Sequence, residues 1–139
     1  MLDLKFLRAD KKASEEGTWA EYFGGKFLIA RFNNDNATQL RAKLTIENYD
    51  ALMKGGEEAV VLNNEINARV MAETILLDWK DVGENGVELP FSKEVAFAYF
   101  SDPSLKDFYQ FVENYSLNRT NYQTKTEEKV ITSVKNTSA

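Results

Sequence analysis

Aromatic and β-branched residues fill two short arms near the start of the chain. The arms lie within TWAEYFGGKFLIARF, residues 18–32, and Gly24-Gly25 separates them. In the second arm apolar residues alternate, with Phe27 and Ile29 on one face and Leu28 on the other. Period-two alternation is typical of strands, and a Gly-Gly loop supplies the positive φ of a tight hairpin turn. The pattern predicts a β-hairpin.

The pattern changes to helical after this hairpin. Asp35 or Asn36 is expected to cap a helix over residues 37–54, because short polar side chains accept hydrogen bonds from the first free amides. Thr45-Ile46 marks an interruption in the helical pattern. Gly55-Gly56 ends the helix, since glycine adopts the left-handed conformation common after the last turn.

The longest helical pattern runs from Glu57 to Lys80. Its apolar residues recur at the spacing of one helical face, which is made up of Ala68, Ala72, Ile75, Leu76 and Trp79. A second stripe at Leu62, Ile66 and Val70 widens the apolar surface. A surface this wide predicts a central helix that is covered on two sides. We expect Trp79 to be buried where this helix meets two C-terminal helices.

Turn and capping signals divide the segment that follows. Residues 81–91 are predicted to be a loop, with a tight turn at Asn85-Gly86. Pro90 excludes helical geometry from the preceding residue, and Phe91 follows it. Ser92 is expected to cap a helix over Lys93 to Phe100. Asp102-Pro103 combines an acidic cap with proline at the first helical position, and it opens a helix that ends near Asn118.

These elements together predict a mainly helical α+β domain. An N-terminal hairpin packs on a cluster of about four helices, and weak alternation over residues 2–7 favours a further strand. Residues 10–17 are charged and indicate a loop. Residues 1–122 are predicted to form a single domain. Residues 123–139 are expected to be a polar, flexible tail, because their composition provides few apolar anchors.

Composition and charge exclude several classes of function. The 139 residues carry a net charge of −5, which argues against nucleic-acid binding, since that needs a basic face. Cysteine and histidine are absent, so thiol nucleophiles, imidazole bases and the usual zinc ligands are absent too. The acidic residues between Asp78 and Glu88 do not follow the spacing of a calcium loop. We expect no enzyme activity, no cofactor, no metal site and no membrane span.

The aromatic residues are the remaining candidates for function. They are dense in the last third of the chain, and the helix over residues 103–118 carries them on more than one face. A short helix at the edge of a small domain cannot bury every side, and surplus aromatic surface is typical of an interface. The candidate partner-binding residues are Phe108, Tyr109, Phe111 and Tyr115.

Several motifs, taken in order, resemble the small tail assembly chaperones of long-tailed bacteriophages. They begin with KFLIARFNN in the hairpin and Leu-Leu-Asp-Trp-Lys at residues 76–80. The acidic turn Glu84-Asn85-Gly86 and the step Pro90-Phe91-Ser92 follow. An Asp-Pro-started helix with Phe111-Val112 near its middle completes the series, and the resemblance covers residues 18–122.

The resemblance implies a non-enzymatic role in the host cytoplasm. Proteins of that family bind the aggregation-prone tape measure protein, contact tail tube protein and are absent from the finished virion. It also implies a homo-oligomer. The alternative is another small phage structural or adaptor protein, such as a head-tail connector or a tail terminator. In either case the segment around Trp79, Asn85, Gly86, Pro90, Phe91 and Ser92 is expected to be architectural.

Overall fold

The computed structural model describes residues 1–124. Three strands form an antiparallel sheet in the order β1-β2-β3: β1 is Thr18–Tyr22, β2 is Gly25–Ile29 and β3 is Leu76–Lys80. A small ribbon pairs β4, Gly83–Glu84, with β5, Val87–Glu88. The mainly helical α+β class is confirmed.

Six α-helices lie within these residues. They are α1 Lys11–Glu16, α2 Asp35–Glu47, α3 Tyr49–Lys54, α4 Gly56–Val70, α5 Lys93–Phe100 and α6 Lys106–Leu117. Short 3-10 turns lie at Leu4–Leu7, Pro103–Leu105 and Arg119–Tyr122. The part of the predicted polar tail beyond Thr124 lies outside the described residues.

The third strand of the sheet comes from the segment predicted to be the end of the central helix. That prediction was wrong beyond Val70, where α4 gives way to a π-helical turn, Met71–Ile75, and then to β3. In the sheet Phe27 of β2 stands opposite Trp79 of β3. The predicted apolar stripe is buried, as expected, but its last residues are buried through strand pairing rather than through a helix face.

Polar contacts hold the chain where it leaves the helix. The Thr74 hydroxyl donates to the Val70 carbonyl at 2.7 Å, a local bond that competes with the helical ladder. The Asn34 amide donates to the Thr74 carbonyl at 3.1 Å, and the Ala30 N–H donates to the Ile75 carbonyl at 2.8 Å. Residues far apart in sequence therefore bind the carbonyls that a continuing helix would have used.

Two predictions for the N-terminal segment were wrong. Residues 2–7 pair with no strand between residues 1 and 124 and contain a 3-10 turn, while residues 10–17 contain α1 rather than a loop. Asp10 caps α1 by accepting from the Ala13 N–H at 3.1 Å. Its own N–H donates to the Tyr122 carbonyl at 2.7 Å. The Asp10 cap and the bond to Tyr122 thus order this segment, although its sequence is too polar to present an apolar face.

Caps elsewhere lie close to their predicted positions. Asn34, rather than Asp35 or Asn36, caps α2 and accepts from the Ala37 N–H at 3.0 Å. The helix breaks at Asn48, two residues after the predicted interruption, and the Asn48 side chain donates back to the Leu44 carbonyl at 2.8 Å. Gly55, with φ 70°, ends α3 as predicted.

The segment from Asn85 to Ser92 is built largely as expected. Asn85 and Gly86 both have positive φ, 53° and 77°, and they form the two-residue turn between β4 and β5. Phe91 packs edge-on against Trp79 with 5.2 Å between ring centroids. Ser92 accepts from the Val95 N–H at 3.1 Å at the start of α5. Pro90 lies between the ribbon and this cap, and the chain crosses there from one element to the next.

The β1–β2 turn falls one residue earlier than predicted. Phe23 and Gly24 occupy it with φ values of 49° and 84°, and Tyr22 pairs with Gly25. Gly25 belongs to β2, where it pairs with Tyr22. Glycine suits this position because a Cβ there would lie 3.1 Å from the Phe27 ring. Phe23 is 95% exposed, so a bulky residue in the left-handed region gains little burial to offset its backbone strain.

Trp79 is a buried side chain of the core with both ring contacts and a hydrogen bond. Its ring is only 4% exposed, and its indole N–H donates to the Leu89 carbonyl at 2.8 Å.

Removing the ring leaves a cavity, so Trp79→Ala should lower the free energy of unfolding by roughly 3–5 kcal/mol in urea titrations. Trp79→Phe, which keeps a ring but leaves the Leu89 carbonyl unpaired, should cost about 1–3 kcal/mol. A loss well under 1 kcal/mol in the alanine variant would show that the ring is not a core element.

The strained turn predicts a difference between two substitutions of Phe23. Both Phe23→Asn and Phe23→Ala remove the ring, but asparagine tolerates positive φ far better than alanine does. The asparagine variant should therefore be more stable than the alanine variant by about 1 kcal/mol in urea unfolding. Equal stabilities would mean that the turn relaxes out of the left-handed region.

Tyr122 predicts a loss of stability at high pH. The side chain is fully buried, and its hydroxyl donates to the Ile29 carbonyl at 3.0 Å. Burial, and to a lesser degree the nearby Tyr115, raise the pKa of Tyr122 above its ordinary value of 10.0. Because the folded state favours the neutral phenol, this stability is complete below about pH 10 and declines as the pH rises further.

The measurement for Tyr122 is the slope of unfolding free energy against pH. Above about pH 10 the wild type should lose up to 1.4 kcal/mol per pH unit more than Tyr122→Phe, which lacks the proton concerned. Parallel curves for the two proteins would contradict the burial of a neutral phenol at this position.

Candidate functional site

Helix α6 lies across the inner face of the sheet and carries the four predicted partner-binding rings. Phe108, Tyr109, Phe111 and Tyr115 are all half-buried and pack against the core. Each ring therefore has one side in the core and some area open to solvent. Partner binding by these residues stays a prediction.

Two of these rings pack around Phe100 of α5. Phe108 stacks on Phe100 with centroids 5.2 Å apart and also meets Phe27 at 5.5 Å. Tyr109 meets Phe100 edge-on at 5.7 Å. Burial, more than the nearby Glu113, raises the pKa of Tyr109, while Arg41 acts in the opposite direction. This pair mainly joins α6 to α5.

The other two rings connect α6 to β1. Phe111 stacks on Tyr22 with ring centroids 4.1 Å apart and nearly parallel planes, at 5°. The Tyr115 hydroxyl lies 2.7 Å from the Thr18 hydroxyl and 3.4 Å from the Trp19 carbonyl. These contacts fix the distance between the helix and the first strand of the sheet.

An open groove of about 570 Å³ lies beside these contacts; we call it the α6 groove. Its apolar lining consists of Tyr22, Phe111 and Tyr115, so two of the four predicted residues contribute to it. Its polar lining consists of the carboxylate Asp107 and four amides, Gln110, Asn114, Asn118 and Asn121. The groove thus combines rings on its floor with hydrogen-bonding groups along one side.

The amides were missed by sequence reasoning, although their spacing was readable. Gln110, Asn114, Asn118 and Asn121 recur after four, four and three residues, which places them on one side of α6 and its continuation. The rings dominated the interpretation of this helix because aromatic residues are the usual mark of an interface. A row of amides does not by itself indicate an interface, because its role depends on which side chains lie beside it in the fold.

A second surface, also missed, lies at the far end of the helical region. Large apolar side chains there are more than half exposed on three helices that contact one another. We call this surface the helical end: Ile46, Tyr49, Met53, Val60 and Val61. Sequence reasoning placed no function there, since apolar residues in helices are usually assigned to the core.

The described residues provide no arrangement typical of a metal centre or a membrane span. No group of three or more acidic side chains within residues 1–124 is arranged to hold a metal ion. None of the helices in that range is long and apolar enough to cross a bilayer.

Comparison with known proteins places the chain in a phage context. Neither curated protein sequences nor solved structures give a match to it. The sequence profile of the YdaY prophage protein family matches residues 28–132, which is most of the chain. The matched range begins in β2 and includes α6 and the amide row. This chain belongs to the YdaY prophage protein family.

Proposed function

We propose that this protein is a tail assembly chaperone of a prophage. In this role it binds the tape measure protein and tail tube subunits in the host cytoplasm, has no enzymatic activity and does not remain in the virion. Membership of a prophage family supports a phage-related role. The resemblance of the motifs between residues 18 and 122 to tail assembly chaperones supports the more specific one.

The observation that carries the proposal is the exposed helical end. Its five residues are between 57% and 74% exposed, and they come from α2, α3 and α4. Fully burying one such side chain stabilises a complex by roughly 1.5–3 kcal/mol. An apolar segment of an unassembled client therefore finds a surface that the fold of this chain does not use.

Charge supports the same role. Glu57 and Glu58 lie in the first turn of α4, next to the exposed Val60 and Val61. The net charge of −5 keeps a complex with an apolar client soluble, because like charges oppose further association. We also propose that the protein is a homo-oligomer, since several copies on one long client bind with avidity.

Co-expression with the tape measure protein of the same prophage tests the role. The client should be soluble with the wild-type protein and insoluble without it. The variant Ile46→Gln/Met53→Gln/Val61→Gln removes apolar area at exposed helical positions, where glutamine is a good helix former. It should retain the wild-type helical content and lose most of the client's solubility.

A matched control is Thr45→Gln/Asn63→Gln, which changes exposed polar positions on α2 and α4. This control should protect the client as the wild type does. If the client is equally insoluble with and without the wild-type protein, the chaperone role is overturned. Detection of the protein in purified particles by mass spectrometry would instead favour a head-tail connector or a tail terminator.

A further inference from the structure

The outer edge of β1 carries backbone groups that the sheet does not use. Phe23 and Gly24 form a two-residue turn, so the flanking pair Tyr22 and Gly25 exchanges both backbone hydrogen bonds. Hydrogen-bonded pairs alternate with non-bonded pairs in an antiparallel ladder. The N–H and C=O groups of Glu21 and Trp19 therefore point away from β2.

This edge is accessible in the described structure. The side chains of Trp19 and Glu21 are exposed, and no backbone bond outside the hairpin involves Glu21 within residues 1–124. The Trp19 carbonyl has one further neighbour, the Tyr115 hydroxyl at 3.4 Å. An exposed edge with free backbone groups is a template for pairing with another strand.

The α6 groove lies alongside the same edge. Tyr22 belongs to β1 and lines the groove, and its ring stacks on Phe111 of α6. Since α6 packs on the inner face of the sheet, a strand added beside β1 would direct alternate side chains toward the groove. The edge and the groove therefore form one surface.

In each amide of the groove, either the oxygen or the nitrogen forms a hydrogen bond, and the other atom has no partner among the described residues. The Gln110 amide nitrogen donates to Asn114 Oδ1 at 2.9 Å, which leaves Gln110 Oε1 and Asn114 Nδ2 free. Asn118 Oδ1 accepts from the Thr120 N–H at 3.1 Å, and Asn121 Nδ2 donates to the Tyr115 carbonyl at 2.9 Å. The remaining groups are two acceptors and two donors.

A polypeptide backbone complements such a row. Every non-proline residue offers one donor and one acceptor, and side-chain amides offer the same two kinds of group. Because the internal bonds hold the amides in place, less rotamer freedom is lost when a ligand binds. The groove is thus preorganised for an extended chain.

The charge of the groove specifies the ligand further. Among the described residues, Asp107 is the one charged residue that lines it, and none of their lysines or arginines contributes to the lining. A carboxylate at the side of an open groove favours a cationic side chain in the ligand. A carbohydrate fits less well, since the stack of Tyr22 on Phe111 covers one face of each ring and leaves less ring surface for a sugar.

We propose that the α6 groove and the edge of β1 together bind an extended segment of the client, with a lysine or arginine of that segment beside Asp107. The segment adds a fourth strand to the sheet through Glu21 and Trp19, and the amide row contacts its backbone from the other side. The identity of the client rests on the proposed chaperone function. The site itself is separate from the helical end.

Short overlapping peptides that cover the tape measure protein are the probe, and binding is measured by NMR with the full chain. Lysine- or arginine-containing peptides should shift the amide signals of Glu21 and Asn114 and slow hydrogen exchange at the Glu21 N–H. Gln110→Ala/Asn114→Ala should weaken their binding roughly fivefold or more, because two hydrogen bonds are lost. Leu117→Ala, exposed on the same helix but outside the groove, is the control and should bind as wild type.

Two further changes separate strand pairing from charge. Glu21→Pro removes the outward N–H without removing a bond to β2, and it should abolish binding, whereas Glu21→Gln should preserve it. Methylation of alternate backbone nitrogens in the peptide should have the same effect as the proline. Asp107→Asn should weaken only the peptides that contain a lysine or arginine.

The outcomes distinguish this site from the chaperone role. If no peptide shifts the Glu21 and Asn114 signals, the groove proposal is overturned, whatever the intact client does. If peptides bind but the groove variants bind them equally well, it is overturned too, and the helical end is the remaining surface. If the groove binds a soluble oligosaccharide and no peptide, the site is a glycan site. If intact client stays insoluble while groove-dependent peptide binding persists, the chaperone role fails and the peptide site stands.

Discussion

The pairing of Phe27 with Trp79 is the contact on which the rest of the structure depends. It joins the N-terminal hairpin to a strand from the middle of the chain and places both rings on the inner face of the sheet. Phe27 then meets Phe108 and Phe111 of α6, while Trp79 meets Phe91 and Tyr99. Both C-terminal helices are thus positioned from one cross-strand pair.

The end of α4 is a consequence of that pairing. A helix continuing through Leu76 would leave β2 with an unpaired edge and would rotate Trp79 away from Phe27. The chain instead widens into a π-helical turn, where Asn34 and Ala30 bond the carbonyls of Thr74 and Ile75. Local bends of this kind are frequent at functional or constrained positions of helices. Here the constraint is the geometry of the sheet.

The two exposed surfaces lie on different parts of this framework. The helical end is apolar, and two of its three helices bury little, because α3 has no buried residue and α2 buries only Ala37. The α6 groove is polar and lies against the sheet, where ring contacts and hydrogen bonds fix its shape. Phe23, at the tip of the same hairpin, adds a strained and exposed ring.

Much of the local structure followed from short-range signals. Ser92, Asn85-Gly86 and Gly55 act on groups within four residues, so the sequence alone placed the start of α5, the β4–β5 turn and the end of α3. Asp102-Pro103 opens a 3-10 turn, and α6 begins three residues after the predicted start. The candidate rings on α6 were visible for the same reason, since helical spacing reports which residues share a face. The spacing of the four groove amides was equally visible in the sequence, but it does not indicate a groove until α6 and β1 are known to lie side by side.

The sequence by itself thus determined the helical α+β class, the capped start of α5 and the ring-rich last third of the chain. Only the tertiary structure decided that residues 76–80 are a strand, that Asp10 starts a helix and that Tyr22 lines the α6 groove. Apolar residues at 75, 76 and 79 satisfy a helix face and a bulged strand equally well. The choice between the two depends on whether β2 is available as a neighbour, and that contact joins residues too distant in sequence for any local pattern to record.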